Sequence, residues 1–291
     1  MPNPKPSQKN LLIAFDAFGT LFTPRAPIGA LYGEVARKHG ICNDVSDEEI
    51  MGSFKKGYRD GYMLYDDVIP LFASLRAART HSRSSNPTTT TTTKHRKIVT
   101  AVLTNSDDRV AGILRSFGLR VGHTDPKVVE EVAVASAKAG QEQAIATPPP
   151  PPTTTVMMLK NEDMEALGEN DIDFVLTSYD CGYEKPHRAI FDAARRLAAA
   201  RYAGDGAGEV GKETGREDDV GEWEAVYVGD EVDKDVVGAE NAGWELAFLV
   251  DREGLVRDAG GVVRRHDVGG EGEQEVRVLR DLRELERYVL G

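Results

Sequence analysis

Four short stretches gather the residue types that could do chemistry. Asp16-Ala17-Phe18-Gly19-Thr20-Leu21 follows the apolar run Leu11–Phe15, and Thr104-Asn105-Ser106 follows Ile98–Leu103. Tyr183-Glu184-Lys185-Pro186 lies beyond Ile172–Leu176. Gly229-Asp230-Glu231-Val232-Asp233-Lys234-Asp235 follows Ala225–Val228. An acid, a hydroxyl, a lysine and an acidic pair therefore each come after an apolar run. Any one of them taken singly reads better as a helix N-cap, where Asp, Ser, Thr and Asn are favoured. Four in succession, each behind a run of the same kind, point to one shared ligand site.

The elements that must position them follow from the pattern. The runs named above, with Leu246–Val250, are short, rich in β-branched or aromatic residues and not alternating, as expected of strands buried on both faces. Helical periods lie between them. Val110–Phe117 puts Val110, Ile113, Leu114 and Phe117 on one face and stops at Gly118. Pro186–Tyr202 carries Pro in its first turn and Ala189, Ile190, Ala193, Ala194 and Leu197 on one face. Val232–Ala242 stacks Val232, Val236 and Ala239 and ends at Gly243. Strand–helix alternation predicts an α/β, Rossmann-like parallel sheet with helices on both faces. Ligands in such folds bind beyond the carboxyl ends of the strands, where all four stretches fall.

In this order the strings FDAFGTLF, VLTNSDDR, GYEKP and VGDEVDKDVVGAENAGW resemble the haloacid dehalogenase-like hydrolase superfamily, over Leu11 to Val250 apart from low-complexity insertions. Within it, the strand-to-helix detail resembles the eukaryotic haloacid dehalogenase-like hydrolase domain-containing protein three subgroup. The resemblance implies that Asp16 is the nucleophile, attacking phosphorus to give an aspartyl-phosphate that water then hydrolyses. Lys185 would supply positive charge at the phosphoryl oxygens. A Mg²⁺ ion would be held by Asp16, Asp230 and the Phe18 backbone carbonyl, with Asp235 binding the metal or orienting its waters. Thr104 and the backbone N–H of Asn105 would hold the phosphoryl group. The implied activity is Mg²⁺-dependent hydrolysis of a phosphate ester or related small molecule.

Phe18 departs from the pattern. Family phosphatases usually have Asp two residues after the nucleophile, as the general acid and base. Phe can do neither, and such help is commonly worth ~10²–10⁴ in rate. An ester with a poor leaving group is therefore expected to turn over slowly. Haloacid dehalogenases carry an aromatic residue there, because halide leaves without a proton. Those enzymes are metal-free, with a fourth motif rich in Ser and Asn, whereas Asp230 and Asp235 match the metal-binding version. Two alternatives thus stand beside the phosphatase-like reading. One is a metal-free 2-haloacid-dehalogenase-type hydrolase; the other is a catalytically weak or inactive member acting as a binding or scaffold protein.

The expected domains are an α/β core over residues 10–22 and 66–291 and a small helical cap over 23–65. Two cap helices are expected, at about Ile28–Gly40 and Ser46–Tyr62, with Asp66–Ala78 a core helix behind them. Flexible insertions are expected at about 81–96, which contains the six threonines Thr88–Thr93, at 123–170, which contains Pro148–Pro152, and at 204–222, rich in Gly, Glu and Asp. Val128–Ala139 could form a short helix within the second.

Composition narrows the partners. The 291 residues carry 36 Lys plus Arg against 48 Asp plus Glu, a formal charge of -12. That balance argues against nucleic acid and anionic membranes and leaves a small-molecule substrate. No apolar stretch approaches the ~20 residues that span a bilayer. Cys42 and Cys181 form no C-x-x-C pair, so an intracellular setting, cytoplasmic or nuclear, is expected. Gly206-Ala207-Gly208-Glu209-Val210-Gly211 matches a dinucleotide fingerprint but follows a helix rather than a strand. Arg25, Arg109 and His187 could reach the site, although surface roles suit the two arginines better and a first-turn helix position suits His187 better.

Overall fold

The structure is a computed structural model. It describes residues 9–25, 38, 61–83, 96–123, 128, 129, 132, 134–136, 170–202, 223–254, 262–266 and 273–290. The expected cap helices lie almost wholly outside the described residues, as do the Thr88–Thr93 and Pro148–Pro152 runs and the Gly206–Gly211 fingerprint.

Every expected strand forms. They are β1 (Asn10–Phe15), β4 (Ile98–Thr104), β5 (Phe174–Thr177), β6 (Trp223–Gly229) and β7 (Leu246–Val250). Two short strands, β2 (Phe22–Pro24) and β3 (Tyr62–Leu64), pair antiparallel and bracket the segment assigned to the cap. Tyr62 therefore opens a strand rather than closing a helix. Two further strands went unread in the sequence: β8 (Val262–His266) and β9 (Glu273–Leu279), antiparallel to one another. The main sheet runs β5-β4-β1-β6-β7-β9-β8, parallel except at the β9–β8 edge.

Burial explains why these runs become strands. On β1, Leu12 and Ala14 enter one core with Ile190, Phe191 and Trp244, while Leu11, Ile13 and Phe15 enter the other with Leu71, Phe72 and Leu285. Both faces are covered, as a parallel sheet requires. The covering helices are α1 (Val68–Arg83), α2 (Arg109–Ser116) and α3 (Arg188–Tyr202). The helix expected from Asp66 begins at Val68 and runs through His81–Arg83, into the range assigned to the first insertion. The segment expected as helix over Val232–Ala242 opens with a wide π-type turn, Val232–Val237, before a short α-helical turn, Gly238–Asn241.

The order of the strands sets the site. From β1 the chain builds outward through β4 to β5, then returns to β1's other side with β6 and β7. The reversal falls at β1, so a crevice opens beyond its carboxyl end, between the loops after β4 and β6. A second polar cluster braces the sheet near the start of β4. Arg79 on α1 pairs with the fully buried Asp173 at 3.0 Å. Arg79 also donates to the Asn170 carbonyl at 2.9 Å, and the Thr100 N–H donates to Asp173 at 2.8 Å.

Candidate active site

Each sequence stretch places one piece at this edge. Asp16 is the first residue beyond β1, and its N–H donates to the Val228 carbonyl of β6 at 2.8 Å. The chain then turns tightly: the N–H groups of Leu21 and Gly19 donate to Ala17 and Phe22 carbonyls, each at 2.9 Å. Thr104 ends β4 and is buried. Asp230 follows β6 directly. Asp235 sits in the wide turn, where its Oδ2 accepts from the Glu231 N–H at 2.9 Å.

Lys185 arrives from the turn after β5 and is 3% exposed. Its Nζ lies 2.8 Å from Asp16 Oδ1 and 2.6 Å from Asp235 Oδ1. It also donates to the Tyr227 hydroxyl at 2.9 Å. The contact with Asp16 is an ion pair: Asp16 Oδ1 is buried and accepts no hydrogen bond among the described residues. Burial alone would lower the lysine pKa, but the Asp16 and Asp235 carboxylates outweigh it and the net direction is upward. Asn105 fixes the lysine's backbone: its Nδ2 donates to the Lys185 carbonyl at 2.9 Å, and its Oδ1 accepts from the Lys185 N–H at 2.7 Å. The Asn105 side chain thus positions Lys185, a use the sequence reading did not assign.

Tyr227 was also missed. Its hydroxyl accepts from Lys185 and donates to the Leu103 carbonyl at 2.9 Å. Edge-on contacts with Phe191 at 5.3 Å and Trp244 at 5.7 Å lock the ring. A polar hydroxyl within the apolar run AVYV was the available signal, because a buried tyrosine hydroxyl must find a partner.

Asp16, Asp230 and Asp235 each offer one oxygen, and these lie within 4.8 Å of one another. Three carboxylates face one lysine, leaving excess negative charge. Asp230 keeps an exposed flank, yet partial burial first, then Asp16 and Asp235, push its carboxyl up to about 7. Thr20 donates to Asp230 Oδ1 at 3.3 Å. The glycines are part of the cradle: a Cβ on Gly19, whose φ is +73°, would overlap the Asp230 carboxyl, and one on Gly229 would overlap that of Asp235. An all-oxygen donor set with unbalanced negative charge and no room for a side chain fits a hard divalent cation such as Mg²⁺.

Phe18 points its chemistry elsewhere. Its ring packs edge-on against Phe22 at 4.7 Å and Tyr62 at 5.8 Å. Phe22 in turn meets Tyr62 at 5.5 Å. Phe18 thereby ties the Asp16 turn to the β2–β3 hairpin. The other candidates are engaged locally. Arg25 donates to the Tyr62 carbonyl at 2.7 Å, Arg109 pairs with Asp107 at 2.6 Å, and His187 stacks on Tyr183 at 4.8 Å. Cys181 is buried, which pushes its thiol up to about 11 and away from nucleophilic duty. A cleft lined by Ser106, Asp107, Ser178, Tyr179, Gly182 and Glu184 adjoins the site, one residue from both Asn105 and Lys185.

A family model described as HAD-hydrolase-like matches residues 182–285, which carry Lys185, Asp230 and Asp235. An uncharacterized hydrolase of Schizosaccharomyces pombe is 26% identical over 245 residues, covering 83% of this chain and 91% of the relative. Similar solved structures include a HAD phosphatase from Thermococcus onnurineus, at 19% identity and a TM-score of 0.45, covering 97% of this chain and 98% of that one. Another is the HAD-hydrolase YfnB from Bacillus subtilis bound to magnesium, at 11% identity and a TM-score of 0.41, covering 97% and 99%. The family-model match and the yeast relative support placing the chain in the haloacid dehalogenase-like hydrolase superfamily.

Proposed function

We propose that this chain is a Mg²⁺-dependent hydrolase that cleaves a small phosphorylated molecule through an aspartyl-phosphate on Asp16. The observation that carries the reading is the meeting of Asp16, Asp230 and Asp235 with a buried Lys185. Asp16, Asp230, Asp235 and the Phe18 carbonyl would hold the cation. Bound there, Mg²⁺ would polarise the phosphoryl oxygens and offset their charge. The chain's own groups do the rest. Lys185 holds the Asp16 carboxylate in place and lowers the cost of bringing an anion to it. Tyr227 and Asn105 keep that lysine from swinging away. Thr104 and the Asn105 N–H receive the phosphoryl group. Residues 23–65, rooted in the β2–β3 hairpin, would serve as the small helical cap.

The test is turnover of a phosphate-ester panel with and without Mg²⁺. The reading fails if no substrate shows metal-dependent hydrolysis, or if Asp16→Asn leaves the rate unchanged. Phe18 favours one second reading, a 2-haloacid-dehalogenase-type hydrolysis in which the halide needs no proton. Halide release from a 2-haloacid without added metal would select it.

A further inference from the structure

The proton inventory around Asp16 bears on the substrate class, and the inference rests on the phosphoryl-transfer reading above. When Asp16 attacks phosphorus, a P–O bond forms and the bond to the leaving oxygen breaks, its electron pair staying on that oxygen. An alkoxide so formed needs a proton at once; a carboxylate does not. Among the described residues no group at the site can give one. Phe18 has no acidic proton and is packed into the Phe22–Tyr62 cluster. Lys185 donates to Asp235 and Tyr227, and its ammonium is held against the Asp16 carboxylate 2.8 Å away as a counter-charge. The Tyr227 proton goes to the Leu103 carbonyl. The Thr20 hydroxyl donates to Asp230. Thr104 and Ser106 are themselves alcohols, no stronger as acids than the alcohol they would protonate. Asp16 is the attacking carboxylate, and Asp230 and Asp235 would be deprotonated as ligands of the bound cation.

We propose that the substrate is an acyl phosphate, whose leaving oxygen departs as a stable carboxylate, rather than an alkyl phosphate ester. The step balances without an acid: acyl phosphate and Asp16 give a carboxylate and the aspartyl-phosphate. Water then attacks phosphorus, the P–O bond to Asp16 breaks, and the water's proton leaves to phosphate or solvent. The leaving group of this second step is the Asp16 carboxylate, which also needs no proton. The lack of such an acid among the described residues therefore penalises only substrates whose first leaving group is basic.

The experiment compares kcat/KM, which reports the first chemical step, for acetyl phosphate, 4-nitrophenyl phosphate, phenyl phosphate and ethyl phosphate with Mg²⁺. Asp16→Asn supplies the background. Ethyl phosphate is expected to trail acetyl phosphate by at least about 10²–10⁴, the usual worth of general acid help, with 4-nitrophenyl phosphate ahead of phenyl phosphate. Ethyl phosphate within about tenfold of acetyl phosphate would overturn the substrate class while leaving the hydrolase reading intact. No Asp16-dependent turnover of any of the four would overturn both. Phe18→Asp is expected to raise the ratio of ethyl phosphate to acetyl phosphate turnover, and an unchanged ratio in the folded variant would overturn the substrate class. If that variant does not fold, the wild-type series decides alone.

Discussion

Adding one methyl group at each of two glycines should separate metal binding from folding. At Gly229 a Cβ would strike the Asp235 carboxyl, which is fully buried and held by Lys185 at 2.6 Å and the Glu231 N–H at 2.9 Å. Asp235 has nowhere to go, so Gly229→Ala breaks a buried ion pair at a cost of about 3–5 kcal/mol. At roughly 2–4 °C per kcal/mol for a domain of this size, Tm falls by about 6–20 °C. At Gly19 the Cβ would strike Asp230, which has an exposed flank and can swing outward. The stability cost of Gly19→Ala is then the left-handed backbone, about 1–2 kcal/mol, or about 2–8 °C. Its Mg²⁺ site, however, loses a carboxylate, which should weaken affinity by at least the ~10–100-fold typical of a lost supporting group. At Mg²⁺ 100 times the wild-type Kd, binding adds about 2.7 kcal/mol; a hundredfold weaker site adds about 0.4 kcal/mol. Thermal unfolding with and without Mg²⁺ reads both quantities. Gly19→Ala should lose most of the Mg²⁺-induced rise in Tm. A full rise in that variant would refute the placement of Asp230 in the cation site.

Three further outcomes follow from the same contacts. Tyr227→Phe removes the donor to Leu103 and one of the two hydrogen-bond acceptors of Lys185, and denaturant titration should show a loss of about 1–3 kcal/mol. Arg79→Met strips the buried Asp173 of its ion-pair partner, 3.0 Å away, and should cost about 3–5 kcal/mol while leaving the KM of the folded fraction unchanged. The Asp230 carboxyl is raised from its ordinary 3.8 to about 7, so between those values the folded metal-free state holds a proton that the unfolded state has released. This group's contribution to stability therefore falls as pH rises from about 4 to about 7. Mg²⁺ binding should release close to one proton near pH 6 and almost none near pH 8.5, as calorimetry in buffers of different ionisation enthalpy would show.

The core strands were legible because burial on both faces leaves continuous apolar runs. Leu246–Val250 forms with the bounds read from the sequence, and Leu11–Phe15 and Ala225–Val228 needed only a residue or two at an end. The β8–β9 pair was not legible, because VVRRH and EQEVRVL mix charges into strands at the sheet's antiparallel edge. The wide turn over Val232–Val237 was read as ordinary helix, since Val236 and Ala239 are buried in either geometry. At the site, the acids and the lysine announced themselves by type and by their place after strands. What escaped were groups whose role depends on distance alone. Gly19 and Gly229 act by having no side chain where a carboxyl must sit, and Tyr227 acts by a hydroxyl in a position that otherwise reads as core.

The central claim is that Asp16 carries the transferred phosphoryl group. Protein mixed with acetyl phosphate and Mg²⁺, quenched in acid within one turnover and mapped by peptide mass spectrometry, tests it directly. The account predicts phosphate on the peptide containing Asp16, absent from Asp16→Asn and lost on a longer incubation as phosphate is released. Substrate turnover with no covalent adduct, or with phosphate attached to a different residue, would contradict it.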